Sequence, residues 1–176
     1  MAEQVIQGIL LALHNIALVG CAAAPFYNRA LVLKRAQYGP KLHYELDKVV
    51  EDTLQGNAPY CIAFLVTLLV TGVGMPINHY VFQGAFRATS PVAVTALVVK
   101  LLAVGGMVWI MTTIFWGINP RIMAIWHGFA PGAAPAEADE KAFFALRARR
   151  KALCEVCLKF AIVVLVASAF LGFGRS

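Results

Sequence analysis

The sequence predicts an all-α integral membrane protein, a bundle of four transmembrane helices, and three observations carry that prediction. Of 176 residues, 60% are apolar and 14% charged, and the mean hydropathy is +0.73, well outside the range of a soluble globular domain. Four apolar stretches, at 5–24, 60–81, 92–118 and 152–173, each reach the about 20 residues needed to cross ~30 Å of hydrocarbon. The rest is mainly two connections of roughly 30 residues, too short to bury a core of their own. The chain therefore reads as a single transmembrane domain over 1–176, and a soluble enzyme fold or an extramembrane catalytic module is excluded.

All four stretches are expected to be helices, because in lipid each backbone N–H and C=O must find its partner within the segment and a strand would need only ~10 residues. Met1-Ala2-Glu3-Gln4 lacks the basic start of a signal peptide, so the first span is expected to be retained. Residues 28–53 are rich in helix formers and read as an extension of helix one, a break at Tyr38-Gly39-Pro40 and a short amphipathic helix at 42–54. Gln55-Gly56-Asn57-Ala58-Pro59 supplies a stop and a restart. Span two carries Gly72, Gly74 and Pro76, and span three ends at Gly117-Ile118-Asn119-Pro120, so kinks or early helix ends are predicted at both places. Residues 128–138 are rich in Ala, Pro and Gly and read as a loop, from which Asp139-Glu140 leads into a basic helical stretch that continues as span four.

Orientation follows from the 15 Lys and Arg residues, because basic residues near span ends stay on the cytoplasmic side. Arg29, Lys34, Arg35, Lys41 and Lys48 fall in the first long connection; Arg121, Lys141, Arg147, Arg149, Arg150 and Lys151 fall in the second. The opposite side has only Arg87 and Arg175. Both termini are thus expected on the non-cytoplasmic side, with the long basic loops in the cytoplasm. The net charge of +6 is a topology signal with affinity for anionic lipid headgroups, and nucleic-acid binding is the wrong inference from it.

The informative residues are ionisable groups inside the spans, where each costs ~2.5–3.5 kcal/mol on insertion scales. His14 and Lys100 lie at matching distances from the outer ends of spans one and three, both roughly 12 Å below the outer surface at 1.5 Å per residue. His79 lies shallower on span two, and a kink at Pro76 would swing it toward the same pocket. A neutral imidazole is a good haem-iron ligand, and a charged lysine inside a bundle needs an anionic partner or a polar cavity. A porphyrin would satisfy both, with His14 on the iron and Lys100 engaging either the iron's other face or a propionate. Small residues nearby, among them Gly8, Ala12, Ala96 and Ala103, would let a flat ligand approach the backbones and equally permit close helix contact. Trp109 is deep enough to line a cofactor pocket, whereas Trp116 and Trp126 fit an interfacial belt. The competing readings of the pair are a structural polar contact with Lys100 snorkelling outward, and a proton or ion path.

The pattern resembles the HemJ-type protoporphyrinogen oxidase family and its CopD-like relatives, small four-helix membrane proteins with a histidine in helix one and a lysine in helix three. The residues that carry the resemblance are His14 and the apolar run to Pro25-Phe26-Tyr27-Asn28-Arg29, the segment Val98-Val99-Lys100-Leu101-Leu102, and the basic stretch 147–151 entering the last span. The chain departs from the family pattern in having no aromatic residue at 15–24 and no histidine in span three. The resemblance implies haem b as cofactor, His14 as axial ligand and Lys100 as a catalytic residue or second ligand. It also implies oxidation of protoporphyrinogen, with electrons passed to a quinone or a partner chain, in a bacterial cytoplasmic membrane. A rival from another class is a non-catalytic accessory subunit of a larger respiratory or photosynthetic membrane complex. Either a homo-oligomer or such a subunit is expected.

Cys21, Cys61, Cys154 and Cys157 sit toward the cytoplasmic half of their spans, where thiols stay reduced, and read as small hydrophobes in preference to a four-thiolate metal site. Glu155 and Lys159 read as a helix-stabilising i, i+4 pair, and Met107, Met111 and Phe115 as packing. His43 and His127 are expected in solvated connections. No nucleotide-binding loop, HExxH or GxSxG occurs, so NTPase and hydrolase chemistry find no support.

Overall fold

The computed structural model describes residues 1–85, 90–130 and 135–171. Among these the regular structure is all helical: α1 (Ala2–Ala36), α2 (Tyr44–Gly56), α3 (Ala58–Gln83), α4 (Pro91–Thr112), a π-helical segment (Thr113–Ile118), α5 (Asn119–Trp126) and α6 (Glu137–Phe170). Four helices among the described residues are long and apolar enough to cross a membrane, which is compatible with the four-helix bundle expected. Arg87 and Arg175, on which part of the sidedness argument rests, lie outside the described residues, as does the predicted end of span four at Phe173.

Each boundary has a local cause. Helix α1 runs 35 residues with Pro25 inside it, and the extension beyond span one is as expected. It ends before Gly39, whose φ of 84° is a left-handed conformation that glycine adopts without steric cost. Helix α2 then starts two residues later than predicted, because the Asp47 side chain reaches back to accept the His43 backbone N–H at 2.9 Å and so caps the first turn. Helix α4 begins with Ser90 accepting the Ala93 N–H at 3.2 Å and proline in the first helical position, a favourable N-terminal pairing. The irregularity predicted at 117–120 takes the form of the π-helical segment. Pro120 has no N–H and its ring crowds the carbonyl of Trp116, and a wider turn accommodates both. Pro76 instead lies inside a helix that continues to Gln83, so no early end occurs there.

The chain divides into two compact units. The first comprises Met1–Ala23, Pro59–Val104 and Ala161–Ser176. Its core joins α1 to α3 through Ala17, Cys21 and Leu68, with Leu18, Phe64 and Leu65 packed against them. The approach at Gly20 is close: a Cβ there would stand 2.5 Å from the Phe64 ring, so no larger residue fits without moving that ring. Small residues are what bring apolar helices together where no hydrophobic driving force separates protein from lipid.

The second unit comprises Ala24–Ala58 and Gly105–Phe160, and it is organised by charge. Asp47 and Glu51, on the inward face of α2, are both fully buried. Arg35 grips Asp47 with both arms of its guanidinium, Nε to Oδ1 at 2.5 Å and Nη2 to Oδ2 at 2.8 Å, and also donates to the carbonyls of Gly39 and Lys41. Arg147 bridges the two acids, through Nη1 to Asp47 and through Nε to Glu51 at 3.0 Å. Arg150 completes the network, giving Nη2 to Glu51 at 2.6 Å and Nη1 to Asn119 at 3.2 Å. An aromatic cluster lies in the same unit. Trp126 stacks on Tyr44 with centroids 5.1 Å apart and on Phe143 at 5.6 Å, while Arg147 sits 5.1 Å over the Phe143 ring.

Two expectations need correction. Trp126 is buried to 6% exposure and serves this cluster, so only Trp116, at 69%, has the exposure an interfacial belt needs. The i, i+4 ion pair formed on α6 is Lys141–Glu137 at 2.6 Å and not Glu155–Lys159. An exposed pair of that kind gains a few tenths of a kilocalorie at most.

Removing one member of a buried ion network strands its partners. Asp47→Asn is expected to destabilise the protein by about 3–5 kcal/mol, measured by denaturant titration in mild detergent. The double variant Arg35→Met with Asp47→Leu should lose clearly less than the sum of its single variants, because it removes both charges together.

Candidate functional site

In the first unit, His14 of α1 is buried to 7% exposure and both of its ring nitrogens are engaged. Nδ1 lies 2.9 Å from the Thr71 hydroxyl of α3, and Nε2 lies 3.3 Å from Nζ of Lys100 on α4. The structure thus brings together the two ionisable residues whose equal depth singled them out, and it adds a third, Thr71.

The hydrogen-bond directions follow from Thr71. Its hydroxyl donates its proton to the Thr67 carbonyl at 2.6 Å, one turn back along α3. The oxygen can therefore only accept from His14, so Nδ1 carries the imidazole proton. Nε2 is then the basic nitrogen, and its lone pair accepts an N–H from Lys100. The result is a directional chain from Lys100 through His14 and Thr71 to the backbone of α3. Buried histidines with a second nitrogen fixed in this way have a defined ring orientation and a defined tautomer.

Local sequence explains how α3 accommodates the ring. Gly72 follows Thr71, and a Cβ built there would stand 3.4 Å from Cε1 of His14, so the glycine lets the α3 backbone lie against the imidazole. Pro76 has no N–H, which deprives the Gly72 carbonyl of its usual helical donor four residues on. Thr71 and Gly72 of α3 thus supply a hydroxyl and a bare backbone face on one side of His14.

His79 is not part of this constellation. Its Nδ1 donates to Oε1 of Glu3 at 3.1 Å. Gln83 donates to Oε2 of the same carboxylate at 2.6 Å, and Asn78 donates to the Glu3 carbonyl at 3.3 Å and to Gln7 at 3.2 Å. This separate polar cluster ties the start of α1 to the end of α3. The swing toward His14 anticipated from Pro76 does not occur; Glu3 supplies His79 with a carboxylate acceptor instead. Trp109 is 66% exposed, so its ring faces outward from its own unit and does not line an enclosed pocket. Among the described residues no group of three or more His, Cys, Asp or Glu side chains is placed to hold a metal ion, which leaves His14 as a single candidate ligand.

The first unit also contains an apolar groove of about 590 Å³, within the range of ligand-binding clefts, lined by Thr95, Ala96 and Val99 of α4 and by Val163, Val166 and Phe170 of α6. Neither His14 nor Lys100 lines it.

Sequence reasoning missed Thr71 and the whole of the Asp47–Glu51 network. Thr71 was discoverable by the same depth reasoning that paired His14 with Lys100, since it is a hydroxyl near the middle of span two. The network is hidden in the sequence because the positive charge of Arg35, Arg147 and Arg150 reads there as a topology signal and names no partner.

Thr71→Val keeps the side-chain shape and deletes the acceptor for Nδ1–H. It is expected to cost about 1 kcal/mol, the scale of a single hydrogen bond between membrane helices. Nitrogen-15 NMR of histidine-labelled protein should report one tautomer at His14, protonated at Nδ1, with Thr71→Ser preserving it and Thr71→Val losing it.

Comparison of the whole chain with protein-family models, curated proteins and solved structures finds no match, so the reading of this site rests on its own geometry.

Proposed function

We propose that the chain is an integral membrane protein that binds b-type haem or a related porphyrin, with His14 supplying an axial nitrogen to the iron. One observation carries the reading: Nδ1 of His14 lies 2.9 Å from the Thr71 hydroxyl, whose own proton goes to the Thr67 carbonyl, a pairing that favours the imidazole proton on Nδ1 and leaves Nε2 as the neutral, basic nitrogen. That is the state a metal-ligating histidine needs, with the second nitrogen donating to a fixed partner. The donor chemistry therefore fits the group. Thr71 would hold the ring plane, and Gly72 would keep the backbone clear of the imidazole edge. Bound haem would supply a redox centre, and the protoporphyrinogen oxidation implied by the family resemblance, with a quinone or partner chain as acceptor, belongs to this proposal.

The sidedness inferred from the basic residues belongs to it as well: the connections carrying Arg35 and Arg147 face the cytoplasm. With the four native cysteines replaced by alanine, Lys41→Cys should react with an impermeant maleimide in inside-out vesicles and stay unlabelled in right-side-out ones. The reverse pattern would invert the topology.

The ligand itself is tested by the visible spectrum of protein purified in mild detergent, before and after dithionite. A Soret band is expected in the parent protein and none in His14→Gln, a variant that keeps an amide able to donate to Thr71. Thr71→Val should weaken retention about 10- to 100-fold, the usual cost of removing the group that orients a metal-bound histidine. A colourless chain that co-purifies stoichiometrically with larger subunits would sink the haem reading in favour of the accessory-subunit role.

A further inference from the structure

The half-buried amine beside His14 lacks the anionic partner that an ammonium in an apolar bundle requires. Lys100 has three N–H donors, and its acceptor among the described residues is the single nitrogen Nε2 of His14. Thr71 does not help, because its oxygen already accepts from His14 and its proton goes to Thr67. No acid is at hand either. The segments that make up the first unit contain one carboxylate side chain, Glu3. It lies eleven residues before His14 on the same helix, about 16 Å along the axis. Both of its oxygens are taken, one by His79 and one by Gln83.

The second unit shows how this chain treats cations that it buries for structure. There three guanidiniums are matched by two fully buried carboxylates, and Arg35 is held by both oxygens of Asp47. Lys100 has no such match, although an ammonium in an apolar bundle is among the costliest side chains to leave without an anion. Its proton-bearing state also bears on its role. Nζ donates to the Nε2 lone pair, and as an ammonium it offers hydrogen-bond donors to a carboxylate and no lone pair to a metal.

We propose that Lys100 is a recognition residue for the carboxylate of the bound ligand, and that this site selects carboxylate-bearing amphiphiles over their neutral esters. A tetrapyrrole with propionate side chains is the member of that class that joins the inference to the proposed function, and for that identity it rests on the haem reading. With a tetrapyrrole bound, His14 Nε2 would be the nitrogen available to its iron, and Lys100 would hold a propionate oxygen in a charge-assisted hydrogen bond. A fatty acid offers the same carboxylate without the tetrapyrrole.

The test compares acids with esters on purified protein in a neutral detergent. Iron protoporphyrin is titrated beside its dimethyl ester and followed by absorbance; a fluorescent fatty acid is titrated beside its methyl ester and followed by anisotropy. Each is measured with the parent protein, Lys100→Met and Lys100→Arg. The free tetrapyrrole acid should bind the parent at least about tenfold more tightly than the diester, the value of one hydrogen bond to a charged group. That ratio should fall toward one in Lys100→Met and survive in Lys100→Arg, which keeps the charge and guards against a folding defect. If neither tetrapyrrole binds while the fatty acid is preferred over its ester in a Lys100-dependent way, the haem reading fails and the carboxylate inference stands. Equal binding of acid and ester by the parent, a preference that persists in Lys100→Met, or no binding of any acid overturns the inference.

Discussion

A polar group inside an apolar helical protein must find its partner within the protein, because neither lipid nor close-packed side chains can supply one. That constraint explains the secondary structure first. Along the long apolar stretches the backbone bonds to itself within each helix, and the departures from that pattern fall at prolines. Pro120 coincides with a π-helical segment, and Pro76, which has no N–H to donate, lies inside α3 four residues after Gly72. The same constraint explains the side-chain pairings. His14 uses both nitrogens, Asp47 accepts from two arginines and a backbone N–H, and Glu3 accepts from His79 and Gln83.

The two compact units meet this constraint in different ways. In the second, three guanidiniums converge on two buried carboxylates, and aromatic rings close over Arg35 and Arg147. Such a network costs much to desolvate and is strongly destabilised by losing one member, so it fixes the relative register of α2 and α6 more than it adds net stability. In the first, polar groups are few and mostly neutral, among them Thr71, Asn78, Gln7, Gln83 and two histidines. Lys100 is the exception, a cation whose only described partner is a neutral ring. That contrast is the physical ground for treating the His14–Lys100 pair as a site for something the chain does not itself contain.

Small residues set the distances on which this depends. Gly20 lets α3 approach α1 closely enough for Phe64 to lie on the helix backbone, and Gly72 does the same for the imidazole. A side chain at Gly20 would force the Phe64 ring to move, disturbing the approach of α1 to α3 on which the His14–Thr71 hydrogen bond depends.

Composition and periodicity by themselves determined the fold class, the four apolar helices, the break at Gly39 and the irregularity near Pro120. Each follows from local chemistry: hydrocarbon thickness, glycine's access to positive φ, and proline's missing donor. The depth of His14 and Lys100 was equally legible, since rise per residue places both at one level once the helices are assigned. What only the tertiary structure decided is which faces meet. Helix rotation about its own axis leaves no trace in hydropathy when every face is apolar, so Thr71 as the partner of His14, Glu3 as the partner of His79, and the burial of Trp126 had no sequence signal strong enough to fix them. The same holds for Arg35, Arg147 and Arg150. Their charge marks a side of the membrane in the linear sequence, and packing of α1, α2 and α6 turns it into a buried network, because two carboxylates distant in sequence are brought within reach.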